Sequence, residues 1–375
     1  MLGVWRLIDL GARDGYTIQS VYEAVAYTVG RGDEPNTIIL TYPSSPYVCI
    51  GVHQLPELEV DLEYCASKGY SIVRRQVGGG AVYLDSLQQF YHVIVRSDDE
   101  LAMKGVEYFF RTILKAIVEF YRSYGLKSEY KPPNDVLVNG RKASGNGAAT
   151  LYNSMVLIGN VILDFNYDEA ARILRVPSEK MRDKIASSIR EWVTSLKREL
   201  GYIPERREVC ERLVKCFENT LGIKLVPGAL DATEEELLAK VRSRLMSREW
   251  LYAKSAGREY ILSRYAPGVR VVKVKANHYI SYYDYREGGS RTIRVIVELE
   301  DNTIKDLVLS GDFFINPPYI LEEIENLLRN KHVNKLNEVV TELENTISKA
   351  KESVGIDADS VLKAVKKAVE NVFNT

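Results

Sequence analysis

The run Arg74-Arg75-Gln76-Val77-Gly78-Gly79-Gly80-Ala81-Val82-Tyr83-Leu84-Asp85 is the chemically sharpest stretch of the chain. Three consecutive glycines let the backbone take positive φ and come close to a bound molecule, because no Cβ stands in the way. Their amides can face an anion, and Arg74 and Arg75 offer charge-assisted donors to a carboxylate or phosphate. Taken alone, the same residues also suit a glycine bulge with solvated arginines. No Gly-Lys-Ser or Gly-Lys-Thr closes the run, and a strand rather than a helix follows it. It is therefore neither a P-loop nor a dinucleotide fingerprint.

A second segment, Asn134 to Gly147 (NDVLVNGRKASGNG), carries complementary groups. Asn134 and Asp135 are hard oxygen ligands of the kind Mg²⁺ takes when phosphates supply the rest. Lys142 stands on the return arm of a hairpin whose turn, Asn139-Gly140, is the favoured two-residue type. A lysine there can neutralise charge on a phosphate or acyl oxygen. Taken alone, this is equally a surface hairpin with a solvated lysine. Together the segments supply an anion cradle, a metal ligand and a cation, as activation of a carboxylic acid by ATP requires.

Other residues carry less chemistry. His53 reads as a strand-end polar residue, and His92, between apolar neighbours in FYHVIV, as a satisfied sheet-face histidine. Cys210 and Cys216 are six apart and off one helical face, so zinc is not expected. Ser144 lies in no Gly-x-Ser-x-Gly elbow. The four cysteines are too few and scattered for a disulfide framework and read as buried thiols in a reducing compartment. With 50 basic against 51 acidic residues the net charge is −1, so no broad basic field for nucleic acid is expected. No targeting segment or apolar run of membrane-spanning length is visible, which places the chain in the cytoplasm with no membrane partner.

The elements that must position these groups follow from pattern. TIILTY, YVCIGV, SIVRRQV and FYHVIV read as strands, and residues 61–68 and 103–124 as helices. MVLIGNVILDF reads as a central strand. Helical periodicity dominates residues 167–221, with Pro177 and Pro204 at helix starts. Residues 250–267 read as a polar hinge. Beyond it, VRVVKVKA, YISYYDY, TIRVIVELE and IKDLVLSG read as four strands, with turns at Gly288-Gly289 and Asp301-Asn302. Helices follow, one with Leu336, Val339, Val340, Leu343 and Ile347 on a single face. At 375 residues the chain is long enough for two domains, placed at residues 1–255 and 256–375.

The motifs RRQVGGGAVYLD, NDVLVNGRKASGNG and GNVILDF, in this order and spacing, resemble lipoate–protein ligases of the biotin/lipoate ligase superfamily. REWVTSLKREL resembles the segment that follows the catalytic strands in that family. GVRVVKVKA and LVLSGDFFINPPYILEEIENLL, with Ser310-Gly311-Asp312-Phe313-Phe314 at its centre, are similar to the family's small accessory domain. The resemblance implies an α+β fold of mixed sheets with flanking helices, a catalytic domain plus a smaller α+β accessory domain. It also implies a two-step reaction. ATP, as its Mg²⁺ complex, and lipoate or octanoate give an acyl-adenylate; the acyl group then passes to a lysine of a lipoyl-carrier protein. That acceptor would be a dehydrogenase E2, a glycine-cleavage H-type carrier or a related lipoate-binding protein.

Carried over by position, Lys142 would be catalytic, contacting the α-phosphate and acyl carbonyl. Asp135 would hold Mg²⁺, with Asn134 beside it. Gly78, Gly79, Gly80 and Ala81 would pack against the acyl-adenylate. Arg75 and Val77 would line the acyl pocket, and Val82 with Tyr83 would border the adenine. Ile158 stands where many relatives carry histidine. An ATP-independent octanoyl or lipoyl transferase of the same fold would need a cysteine nucleophile downstream of the lysine, and the nearest is Cys210. A non-catalytic lipoate-binding protein could dispense with Lys142 and Asp135. Biotin ligase would need a Gly-Arg-Gly-Arg loop, of which Gly30-Arg31-Gly32 is a misplaced fragment.

Overall fold

A computed structural model describes residues 3–286 and 291–374. Eleven strands belong to the first part of the chain: β1 (Gly3–Arg13), β2 (Thr37–Pro43), β3 (Tyr47–Ile50), β4 (Ser71–Arg74), β5 (Val82–Leu84), β6 (Gln88–Arg96), β7 (Ser128–Lys131), β8 (Asp135–Val138), β9 (Arg141–Leu151), β10 (Ser154–Ile162) and β11 (Ile223–Pro227). Eight of them form one sheet in the order β11-β1-β2-β6-β10-β9-β8-β7, and β4-β3-β5 form a second. In the large sheet, β1 runs parallel to β11 and β2, while the other neighbours are antiparallel. β10, rich in Val, Ile and Leu and buried at every residue, lies between β6 and β9. It is the central strand that its composition predicts.

One face of the large sheet packs on the helices Val106–Arg122 and Arg206–Leu221, burying Phe109, Ile113, Ile117, Leu213 and Phe217. The other face packs on the helix Gly15–Arg31 and on the small sheet, through Tyr22, Val25, Cys49, Val77, Ile158 and others. That helix starts where the Asp14 carboxylate accepts from the amides of Tyr16 and Thr17, and ends at Gly32 in the left-handed region. The Asn139-Gly140 turn has φ of 50° and 76°, as a type I′ hairpin needs.

The remainder of the chain forms the antiparallel sheet of β12 (Val271–Lys275), β13 (His278–Tyr285), β14 (Ile293–Glu300) and β15 (Thr303–Gly311), followed by the β16 (Phe314–Asn316) and β17 (Glu352–Val354) pair. Helices Tyr319–Leu328, Val340–Ser348 and Ala358–Phe373 cover it, and Leu336, Val339 and Leu343 sit in its core. Both residues of the Asp301-Asn302 turn have positive φ. The expected Gly288-Gly289 turn lies outside the described residues.

The hinge expected over residues 250–267 is corrected. This segment holds the helices Arg248–Leu251 and Glu259–Ser263 and is tied down on both sides. Ile261 is buried with Leu55, Leu58, Ile280 and Ile296. Arg258 and Lys254 both pair with the buried Glu325. An alternation of polar and apolar residues reads as a linker only until the apolar ones find partners more than a hundred residues away in sequence.

Candidate active site

The hairpin β8–β9 places Asp135 at the start of one arm and Lys142 near the start of the other. Lys142 Nζ lies 2.7 Å from Asp135 Oδ1, with both side chains part-exposed. Asp135 Oδ1 is itself buried and receives no well-aligned hydrogen bond, so its contact with Lys142 is an ion pair. Lys142 is steadied through its backbone: its carbonyl accepts from the Thr194 amide at 2.8 Å, and it bridges Val193. Glu199 then joins the turn, accepting from Asn139, Arg141 and Thr194. This gives Val193 and Thr194 of the REWVTSLKREL segment a physical role in positioning the lysine strand.

Asn134 does not point to an open site. Its Nδ2 donates to the Asn146 carbonyl, while Asn146 Nδ2 donates to the Asn134 carbonyl at 2.9 Å. Behind them, the buried Tyr91 hydroxyl donates to Asn146 Oδ1 and meets Ser144 Oγ at 3.2 Å. Asn160 Oδ1 accepts from the Gly145 amide at 3.1 Å, and its Nδ2 donates to Gln88 at 2.6 Å. Tyr91, Asn146, Asn160 and Gln88 thus hold the return strand, and sequence reasoning missed all four. Asn146 and Asn160 lie inside the NDVLVNGRKASGNG and GNVILDF motifs without being singled out there, and Tyr91 and Gln88 sit in a strand with no such motif.

The glycine run forms the loop between β4 and β5, and the hairpin meets it. A Cβ at Gly147 would lie 3.3 Å from Val77 Cγ2 and 3.9 Å from the Gly78 carbonyl oxygen. Val77 is buried against that strand, whereas Gly78, Gly79, Gly80 and Ala81 are half-buried. Gly79 has φ of 97°, a conformation that L side chains rarely adopt. Val82 faces solvent, but Tyr83 turns to the opposite face and packs with Val48, Ile50 and Ala170. Successive strand residues point to opposite faces, which sets the exposed Val82 and the buried Tyr83 on different sides of β5.

The two arginines require a correction. Arg75 is buried, donating to the Gly78 carbonyl at 2.8 and 3.1 Å and to the Gly80 carbonyl at 3.0 Å, with Cys49 Sγ at 3.6 Å. It braces the loop rather than offering free donors to a ligand. Arg74 is also buried, and its guanidinium donates to the carbonyls of Val52, Trp250 and Leu251. Buried guanidinium groups take partners wherever the chain supplies them.

The C-terminal part of the chain reaches the loop as well. A Cβ at Gly78 would lie 2.7 Å from Phe314 Cβ and 2.9 Å from the Phe313 carbonyl oxygen. The Asp312-Phe313-Phe314 stretch therefore packs on the glycine loop. His53 stacks on Phe313 at 5.2 Å, and its Nε2 meets the Ile315 main chain, 3.1 Å from the carbonyl oxygen and 3.2 Å from the amide nitrogen. Burial drives its pKa down to about 3. Thr150 binds Glu352 through its hydroxyl at 2.6 Å and its amide at 3.1 Å, and Arg294 pairs with Glu59 at 2.6 Å. Arg291 donates to the Asp312 carbonyl at 2.7 Å within electrostatic range of Arg75 and Asp135.

One thiol borders this constellation: Cys49 Sγ lies 3.6 Å from the Arg75 guanidinium that braces the loop. Cys49, Cys65 and Cys216 are buried, and Cys210 is half-buried. Desolvation raises the pKa of all four, to about 11 at Cys65 and Cys210. Cys210 lines a cleft of about 930 Å³ between β1, β2 and the helix Arg206–Leu221, on the face opposite the glycine loop. Among the described residues no group of three or more His, Cys, Asp or Glu could hold a metal unaided. A Mg²⁺ at Asp135 would draw its other ligands from phosphate and water. Among the described residues no helix is long and apolar enough to cross a membrane.

Relatives in sequence and structure define the class of this chain as the lipoyl ligase and octanoyltransferase family of enzymes. The chain belongs to the lipoyl protein ligase A/B catalytic domain family, whose sequence profile matches residues 14–218. Octanoyltransferase LipM of Moorella thermoacetica is 27% identical over 266 residues, covering 66% of this chain and 97% of that protein. The bi-partite lipoate protein ligase of Thermoplasma acidophilum, solved with its E2 lipoyl domain, aligns with a TM-score of 0.60 at 29% identity. That match covers 67% of this chain and 96% of the other. The lipoate complex of P. falciparum LipL1 aligns over 98% of this chain and 100% of its own, with a TM-score of 0.65. At 13% identity that likeness concerns fold, and it spans both parts of the chain. The expected α+β fold and family stand.

Proposed function

We propose that this protein is a lipoate–protein ligase that activates lipoate or octanoate with ATP and loads a lipoyl-carrier lysine. The observation that carries this reading is the Lys142–Asp135 pair at 2.7 Å, on a hairpin against the glycine loop. In the first step a carboxylate oxygen of the acid attacks the α-phosphorus of ATP, and the α–β bridging oxygen leaves with pyrophosphate. Lys142 stabilises the charge that develops on the α-phosphate oxygens. Asp135 would hold Mg²⁺, which supplies charge neutralisation on the phosphates. The half-buried glycine loop, braced by Arg75, keeps its backbone close to the acyl-adenylate.

In the second step the acceptor's lysine amine attacks the acyl carbonyl carbon, the carbonyl–phosphate bond breaks, and AMP leaves. Lys142 then faces the carbonyl oxygen as it becomes an oxyanion. The acceptor in this reading is a lipoyl domain, as in the Thermoplasma system. The proposal includes a division into a catalytic domain of residues 1–255 and an accessory domain of residues 256–375, and cytoplasmic action. The accessory domain would close over the glycine loop through Asp312 to Ile315.

The LipM relatives favour a second reading, an octanoyltransferase that uses an acyl thioester and no ATP. Nucleophilic transfer wants a thiolate at neutral pH, and desolvation pushes every thiol here the other way. Loading of a lipoyl domain separates the readings. A ligase acylates it from free acid and ATP and leaves an octanoyl thioester untouched; a transferase does the reverse.

A further inference from the structure

His92 lies in the middle of β6, is wholly buried, and neither of its ring nitrogens meets a hydrogen-bond partner. A neutral imidazole always carries one N–H, and buried polar groups in folded proteins nearly always find partners. The expectation of a satisfied sheet-face histidine is therefore corrected.

The register shows what this histidine faces. Gly147 on β9 pairs with Ile158 on β10, Ile158 pairs with His92, and His92 pairs with Ile39 on β2. Directly opposed residues point to the same face of a sheet. Gly147 meets Val77 of the glycine loop, so His92 lies on the face that the loop covers. Tyr22 connects them from above: its ring meets the imidazole edge-on at 5.6 Å, and its hydroxyl accepts the Gln76 amide at 3.1 Å. Gln19, one turn earlier on that helix, also leaves its Oε1 without a partner. Lys142 Nζ lies beside Gly145, two residues from Gly147 on the same face. Two strand spacings of about 4.8 Å and two residues of about 3.4 Å put His92 about 12 Å away on the diagonal. An extended eight-carbon acid, with seven bonds of about 1.5 Å in zigzag, spans about 9 Å, and a hydrogen bond of about 3 Å at its carboxylate covers the rest.

We propose that His92 is a specificity-determining residue at the far end of the acyl pocket, where its N–H meets a dithiolane sulfur and selects lipoate over octanoate. The proposal rests on the ligase reading, which sets the acid's carboxylate beside Lys142. Burial keeps the ring neutral, with a pKa lowered to about 3, so it offers a donor without a charge. A sulfur accepts weakly, whereas the terminal methyl of octanoate accepts nothing and leaves the N–H unpaired.

The test compares lipoate with 5-cyclopentylpentanoate, which keeps the ring and chain but has no sulfur, by kcat/KM of acyl-AMP formation. The wild type is expected to favour lipoate by about five- to tenfold, the worth of one modest hydrogen bond. His92→Phe is expected to bring the ratio close to one, and His92→Asn, which keeps an N–H, to retain part of it. Equal use of the two acids by the wild type overturns the proposal, even if neither variant folds. A ratio that survives in folded His92→Phe overturns it too. No adenylate from any acid refutes the ligase reading instead. Calorimetric affinities of the wild type for the same two acids then decide on His92 by the same ratio.

Discussion

Replacing Arg75 by methionine removes a guanidinium that holds two carbonyl groups of the glycine loop, Gly78 at 2.8 and 3.1 Å and Gly80 at 3.0 Å. A buried acceptor left without its partner costs about 1–3 kcal/mol, and Gly78 and Gly80 are only half-buried. The expected loss for the pair is therefore about 2–4 kcal/mol. At about 2.1 cal/mol/K of unfolding entropy per residue, 375 residues unfolding together shift by about 1.3 °C per kcal/mol. Calorimetry should then show a Tm lower by roughly 3–5 °C. Arg75→Lys should recover less than half of this, since one ammonium cannot span both carbonyls as the planar fork does. The loosened loop should also raise the KM for the acid. An unchanged Tm would refute the bracing role. An unchanged Tm with a strongly raised KM would return Arg75 to the role of a direct ligand donor.

Further expectations follow from buried charges. Glu325→Ala leaves Arg258 and Lys254 without their shared carboxylate, at side-chain exposures of 11% and 15%. A loss of about 3–5 kcal/mol in urea unfolding is expected, and Glu325→Gln, which keeps an acceptor for the Leu309 amide, should lose less. His53 and His92 are both held neutral by burial, with pKa values lowered to about 3. The unfolded chain binds protons at these sites below about pH 6.5, so stability should be flat above that value. It should fall by about 1.4 kcal/mol per pH unit for each histidine from there toward pH 3. His53→Phe should remove about half of their joint slope; a slope unchanged by it would contradict the neutral buried state.

Local chemistry was the legible part of the sequence. The Asn139-Gly140 turn, the central position of β10 and the four strands beyond residue 270 follow from turn residues and periodicity, which act over a few neighbours. The same local signal brought Lys142 and Asp135 onto facing arms of one hairpin. What escaped was decided at long range. Arg74 reaches carbonyls 176 and 177 residues away, and His53 meets Ile315 across 262. No pattern near either residue signals such partners. The same holds for Tyr91, which supports the lysine strand from β6 by donating to Asn146.

The central claim is ATP-dependent activation of an acid at Lys142. Pyrophosphate release and acyl-AMP mass, measured with ATP, Mg²⁺ and lipoate for the wild type and for Lys142→Ala, test it most directly. The account predicts acyl-AMP from the wild type and a rate lower by about 10²–10³ in the variant, the usual loss when one preorganised charge-stabilising group is removed. Absence of acyl-AMP from the wild type, with lipoyl-domain loading from an octanoyl thioester in the absence of ATP, would contradict it.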